Sequence, residues 1–153
     1  LLHPTAFEDA DYQVLMYQKF TRSHCGWSSP DLLAKLYDTW LARNDAMAAA
    51  IVDMVNDQQG QPVVVILGAG HVQHNMGVYE RVAYLLPGAK QVNLGLREVA
   101  IQPLTLEGYV QSVQVDGRSF PPEHEYFWFT PRVSYEDPCE KFKDRLKRVD
   151  AGS

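Results

Sequence analysis

The run Val63-Val64-Val65-Ile66-Leu67-Gly68-Ala69-Gly70-His71 sets an imidazole at the end of an apolar segment, behind two glycines. Imidazole changes charge near neutral pH and serves as metal ligand, proton carrier or hydrogen-bonding partner. His74 follows three residues later, so the two rings could face one metal, or one could bind a ligand carboxylate. No Asp, Glu or Cys stands between Gly68 and Tyr79 to complete a zinc set. A second group is Arg43-Asn44-Asp45, which interrupts an otherwise apolar helical pattern. A guanidinium held by a carboxylate suits recognition of another carboxylate or a propionate. Taken alone, the triplet reads more simply as an exposed helical turn with a local ion pair.

These groups need elements to hold them. Five apolar residues before Gly68 predict a strand buried on both faces, as in a parallel sheet covered by helices. Gly68 and Gly70 would then let the chain turn sharply, and His71 would emerge beyond the strand's carboxyl end, where open α/β sheets bind ligands. Upstream, Tyr12, Leu15, Met16 and Phe20 predict a helix over 9–22. Ser29-Pro30-Asp31 is a helix start, and Leu33, Leu36, Trp40, Met47, Ile51 and Met54 carry that helix to about Asn56. Downstream, the pattern predicts a short helix from Gly77 to Leu86 and strands at Gln91–Leu94 and Tyr126–Thr130. It also predicts a hairpin or edge strand over 110–120, with a turn at Asp116-Gly117, and a charged helix from Pro138 to Val149. The Lys141–Arg148 run reads as a solvated helix face. The order favours one α/β domain or domain fragment over 1–153, with a partly parallel sheet flanked by helices. The sheet looks small for its helices, as if strands were missing upstream.

Composition narrows the function classes. A chain of 153 residues is long enough for a real core, and a net charge of −5 argues against a general nucleic-acid binder. No apolar run approaches the roughly 18 residues of a membrane span. The chain opens on Leu1-Leu2-His3-Pro4 without a leader pattern, which suggests a processed or excised piece. Cys25 and Cys139 match no Cys-x-x-Cys spacing, and a single disulfide between them is left open.

Gly68-Ala69-Gly70-His71-Val72-Gln73 superficially matches a dinucleotide fingerprint. Gln73 stands where the third glycine is needed, and no acid follows about 20 residues on. Tyr12, Tyr17 and Tyr79 are among eight tyrosines. Tyrosine can ligate ferric haem, although tyrosines at helical spacing usually pack in a core with the hydroxyl at its rim.

The order of several segments resembles the ChaN-like haem-binding proteins. They are Leu41-Ala42-Arg43-Asn44-Asp45-Ala46-Met47-Ala48, the strand with Gly68-Ala69-Gly70-His71-Val72, Gly77-Val78, Phe127-Trp128-Phe129-Thr130-Pro131 and Asp137-Pro138-Cys139-Glu140, over roughly residues 20–142. That family lies in a wider group with Tiki-type proteases and erythromycin esterases. The resemblance implies bacterial iron or haem acquisition, by a lipid-anchored cell-envelope protein, without catalysis. It also implies haem stacked between two protomers, with a tyrosine on each iron and His and Lys on the propionates. On that basis His71 and Arg43 line the pocket, with His74 beside them, and Tyr12, Tyr17 and Tyr79 are the candidate iron ligands. The family's N-terminal strands and its Gly-Glu-x-His-type motif have no counterpart here. A metal-dependent hydrolase of the Tiki or esterase type is the alternative function, and a purely structural domain the third.

Overall fold

The computed structural model describes residues 10–58, 60–100, 102 and 104–143. Helix α1 (Ala10–Ser23) buries Tyr12, Leu15 and Met16, the apolar positions three and four apart. Helix α2 (Pro30–Asp57) starts where its cap predicts: the Ser29 hydroxyl accepts a hydrogen bond from Leu32 N at 3.2 Å. Its 28 residues make it about 40 Å long. One stripe of α2, comprising Tyr37, Trp40, Asn44, Ala48 and Ile51, is buried. The upper part of that stripe packs with α1, Val115 and Phe120. The lower part packs Ala48 and Ile51 on Val78 and Val82 of α3 (Val78–Leu85).

Strand β1 (Leu94–Glu98) is followed by the short α4 (Leu106–Val110), by β2 (Val113–Val115) and β3 (Arg118–Phe120), and by β4 (Tyr126–Thr130). β1 and β4 pair in parallel, Leu94 opposite Tyr126 and Leu96 opposite Trp128. β2 and β3 form the expected hairpin. Asp116 and Gly117 both have positive φ, 49° and 79°, which suits the tight turn that follows strand twist. The fold is therefore mixed α/β, with a parallel pair flanked by helices, as the sequence predicts.

Two details differ from expectation. Val63–Leu67 forms no strand, and Val64 and Ile66 are 88% and 91% exposed rather than buried. A strand needs partners along its edges, and among the described residues none runs beside this one. Only Leu67 reaches the α2–α3 core. The strand expected at Gln91–Leu94 begins at Leu94 instead, and the Gln91 side-chain amide donates to Tyr79 O at 3.2 Å. Of the helix expected over 138–149, residues 138–143 are helical and the remainder lies outside the described residues. There Lys143 pairs with Glu140 at 2.8 Å, both exposed, as a solvated face should. Cys25 and Cys139 are joined by a disulfide across 114 residues of sequence, tying the turn after α1 to this helical segment. Among the described residues no helix is long and apolar enough to cross a membrane.

Candidate functional site

The loop after Leu67 is held from below by α2. The Trp40 indole Nε1 donates to Gly70 O at 2.8 Å, and its ring stacks on the His71 ring, centroids 6.4 Å apart and planes 11° apart. One helical turn on, Asn44 is fully buried, and its Oδ1 lies 2.6 Å from His71 Nδ1. That one contact occupies Nδ1, whichever of the two groups donates. Nε2 makes no hydrogen bond among the described residues. Burial first, and then the positive charge of Arg43, hold the His71 pKa below its ordinary value, which keeps the ring neutral. The Asn44 amide nitrogen is buried without a partner among the described residues. Such a group costs about 1–3 kcal/mol, so Asn44 is poorly explained as mere packing.

Arg43 is exposed and makes no ion pair among the described residues. The reading in which Asp45 holds Arg43 is overturned: Asp45 Oδ1 instead accepts from Arg81 Nε at 2.6 Å. Residues two apart on a helix do not face each other, so Asp45 turns towards α3 while Arg43 faces solvent. Arg81 is only 2% exposed. It also donates to Gly77 O and Glu80 Oε1, each at 3.0 Å, and its guanidinium carbon lies 6.0 Å from the Trp40 ring centroid. The sequence reading passed over Arg81, although its place on the Val78, Val82, Leu85 stripe was a usable signal. An arginine on a buried stripe must find partners.

His74 does not join His71. It is buried at φ 60°, its Nδ1 donating to Pro121 O at 2.7 Å and its Nε2 lying 3.3 Å from Lys19 Nζ. Lys19 itself contacts the Gln73 side-chain oxygen and Glu123. The two histidines thus serve different partners, and among the described residues no three His, Cys, Asp or Glu side chains are gathered as a metal site requires. Nor do Gly68 and Gly70 make the sharp turn, since neither has positive φ. His74 and Asn75 do, at 60° and 58°. After Gly68 come two short 3-10 turns, not the long helix whose N-terminus would take a dinucleotide phosphate. Asn93 closes the loop from the far side, donating to Val72 O at 2.6 Å and accepting from His124 Nδ1 at 2.8 Å. His124 was not singled out in sequence, where nothing local marks it.

The three tyrosines are scattered. Tyr12 is 1% exposed, packed on Trp40 and Phe120, with its hydroxyl donating to Gln73 O at 3.5 Å. Burial pushes its pKa up, against the phenolate that iron requires. Tyr17 is half-buried, edge-on to Tyr37, and accepts from the Gln13 amide at 3.4 Å. Tyr79 is half-buried at the start of α3 and donates to Glu125 Oε1 at 3.3 Å; burial and that carboxylate raise its pKa. A depression of about 380 Å³ opens at His74 and Phe120, and another of about 480 Å³ at Tyr17. His71 lines neither.

His71, His74 and His124 all have pKa values lowered first by burial. The unfolded chain therefore binds protons before the folded one does, so this part of the stability is complete above about pH 6.5 and is lost as the pH falls through the folded values. Denaturant midpoints should fall between pH 7.5 and pH 5.5; equal midpoints would contradict the neutral, buried state of these rings.

The family model for haem-binding uptake proteins (Tiki superfamily, ChaN) matches residues 1–82. That span contains α1, α2, the His71 loop and Arg81, the parts that build this site. The chain belongs to the ChaN family of haem-binding uptake proteins. The matched span holds all six candidate residues but ends before Phe127-Trp128-Phe129-Thr130-Pro131, which the resemblance in sequence had included. No curated protein and no solved structure gives a match. The donor set fits haem at His71 and Arg43, a neutral imidazole with a free nitrogen beside an exposed cation. It does not fit at Tyr12, which is sealed in the core.

Proposed function

We propose that this chain takes up haem at the His71 loop and does no catalysis there. The observation that carries the reading is the His71 ring itself: stacked on Trp40, tied at Nδ1 to a fully buried Asn44, and without a partner at Nε2 among the described residues. Arg43, exposed on the same stretch of α2 and electrostatically felt by His71, supplies the cation for a propionate. Of the three candidate phenols, Tyr79 and Tyr17 are less buried than Tyr12, and a second copy of the chain would complete the other face of the cofactor. The family's envelope location is part of this reading, and the Cys25–Cys139 disulfide supports it, since such bonds persist in oxidising compartments.

Haemin titration followed at the Soret band tests the proposal. A saturable shift is expected, with His71→Ala weakening affinity by about tenfold or more, equivalent to about 1.4 kcal/mol. Tyr79→Phe and Tyr17→Phe should separate the ligating phenol from the other, and sedimentation should show a doubled mass with haemin. A flat titration would sink the reading.

A further inference from the structure

We propose that Lys19 and His74 form an acid-released latch: protonating His74 sets two cations against each other and frees the second half of α1 from the His74 loop. The latch needs no haem. On one side His74 is anchored to main-chain oxygens, its N–H donating to Glu123 O at 2.8 Å and its Nδ1 to Pro121 O at 2.7 Å. A carbonyl oxygen only accepts, so Nδ1 carries a hydrogen, and in the neutral ring Nε2 keeps its electron pair. On the other side that pair faces Lys19 Nζ at 3.3 Å, and an ammonium only donates. Both neighbours require the same tautomer. Lys19 has three N–H groups and three acceptors around them: His74 Nε2, the Gln73 side-chain oxygen and Glu123 Oε1.

A proton arriving at His74 must go to Nε2, the position aimed at the ammonium. The ring is held in place: it is 4% exposed, tilted on Phe120 with centroids 5.9 Å apart, and tied at both its backbone and Nδ1. Lys19, on a flexible stem at the edge of α1, is the part that moves. The other charges nearby do not cancel the conflict. Glu123 attracts an imidazolium, but it already serves Arg97 at 2.8 Å and Lys19 at 3.6 Å, and His124 beside it adds a second titrating ring. Asp11 and Arg118 pair with each other at 2.9 Å, and with His74 they line the depression of about 380 Å³. That depression gives protons a route to the ring. Burial first, with Lys19 and His124 behind it, lowers the His74 pKa against the pull of Pro121 O and Glu123. The latch is therefore closed at neutral pH and opens in acid.

Nitrogen NMR titration of His74, with amide-exchange protection followed between about pH 7.5 and pH 5, tests the latch. Protection of the α1 amides over residues 16–22 should fall as His74 titrates, while the α2 amides around Ala48, packed on α3, hold. Lys19→Met keeps the apolar stem and removes the cation. In it His74 should bind its proton roughly tenfold more tightly, and α1 protection should lose its pH dependence. His74→Asn, which does not titrate and tolerates positive φ, should remove the same dependence. Should His74→Asn fail to fold, the wild type and Lys19→Met decide. A His74 titration unchanged in Lys19→Met overturns the latch. So does α1 protection that still falls in that variant, which would assign acid loosening to the other buried rings, His71 and His124.

Discussion

Arg81→Ala should lower the folding free energy by about 3–5 kcal/mol, the usual result of removing one partner of a buried ion pair. The side chain is 2% exposed, and its removal leaves Asp45, 14% exposed, and Glu80, 23% exposed, as carboxylates without that cation. It also strips a donor from Gly77 O and a cation from the face of Trp40. A small domain has only about 5–15 kcal/mol in total, so the variant should melt far below the parent or fail to accumulate. Arg81→Lys should recover part of the loss, because a point charge can serve Asp45 but lacks the planar fork that also reaches Gly77 O. Equilibrium denaturation measures both. A loss below about 1 kcal/mol for Arg81→Ala would mean that the network is worth no more than a surface pair. The consequence reaches function through Trp40, which rests beneath His71 and holds Gly70 O. Loosening the guanidinium loosens the floor of the loop.

Gly77→Ala should be nearly as severe. Gly77 has φ 65° and ψ −116°, a conformation costly for any residue with a Cβ. An added Cβ would sit 2.4 Å from His71 O and 3.1 Å from the Trp40 ring. Backbone strain alone costs about 1–3 kcal/mol. The clash falls on backbone that cannot rotate away, so the loop must shift as well. Gly70→Ala is the control: a Cβ there meets nothing within 4 Å, and the backbone is not left-handed. Calorimetry should show Gly77→Ala melting well below Gly70→Ala, with haemin binding weakened in the former only. Comparable melting temperatures would show that the close approach of Gly77 to His71 is not a constraint.

The contrast between the two glycines shows where the sequence was legible. Gly68 and Gly70 precede the histidine and invite attention, yet Gly77, six residues after it, is the one the fold requires. Nothing local distinguishes them, because the requirement comes from the carbonyl of His71 folding back against the start of α3. The same is true of the acid in Arg43-Asn44-Asp45. Proximity in sequence pairs it with Arg43, while the helix turns it towards Arg81, 36 residues away.

What the sequence determined by itself was whatever depends on neighbours a few residues apart. The apolar spacing set the ends of α1 and α2, Ser29 capped α2, Asp116-Gly117 turned the hairpin, and the order of motifs identified the family. Those signals are short-range, so each segment carries its own. The tertiary structure alone decided that Val63–Leu67 finds no strand partner among the described residues, that His74 turns away from His71, that Tyr12 is sealed in the core, and that Asn44 meets the His71 ring. Each of these depends on which distant surfaces meet, and a single residue's burial, tautomer or ion pair is set by the partner that arrives.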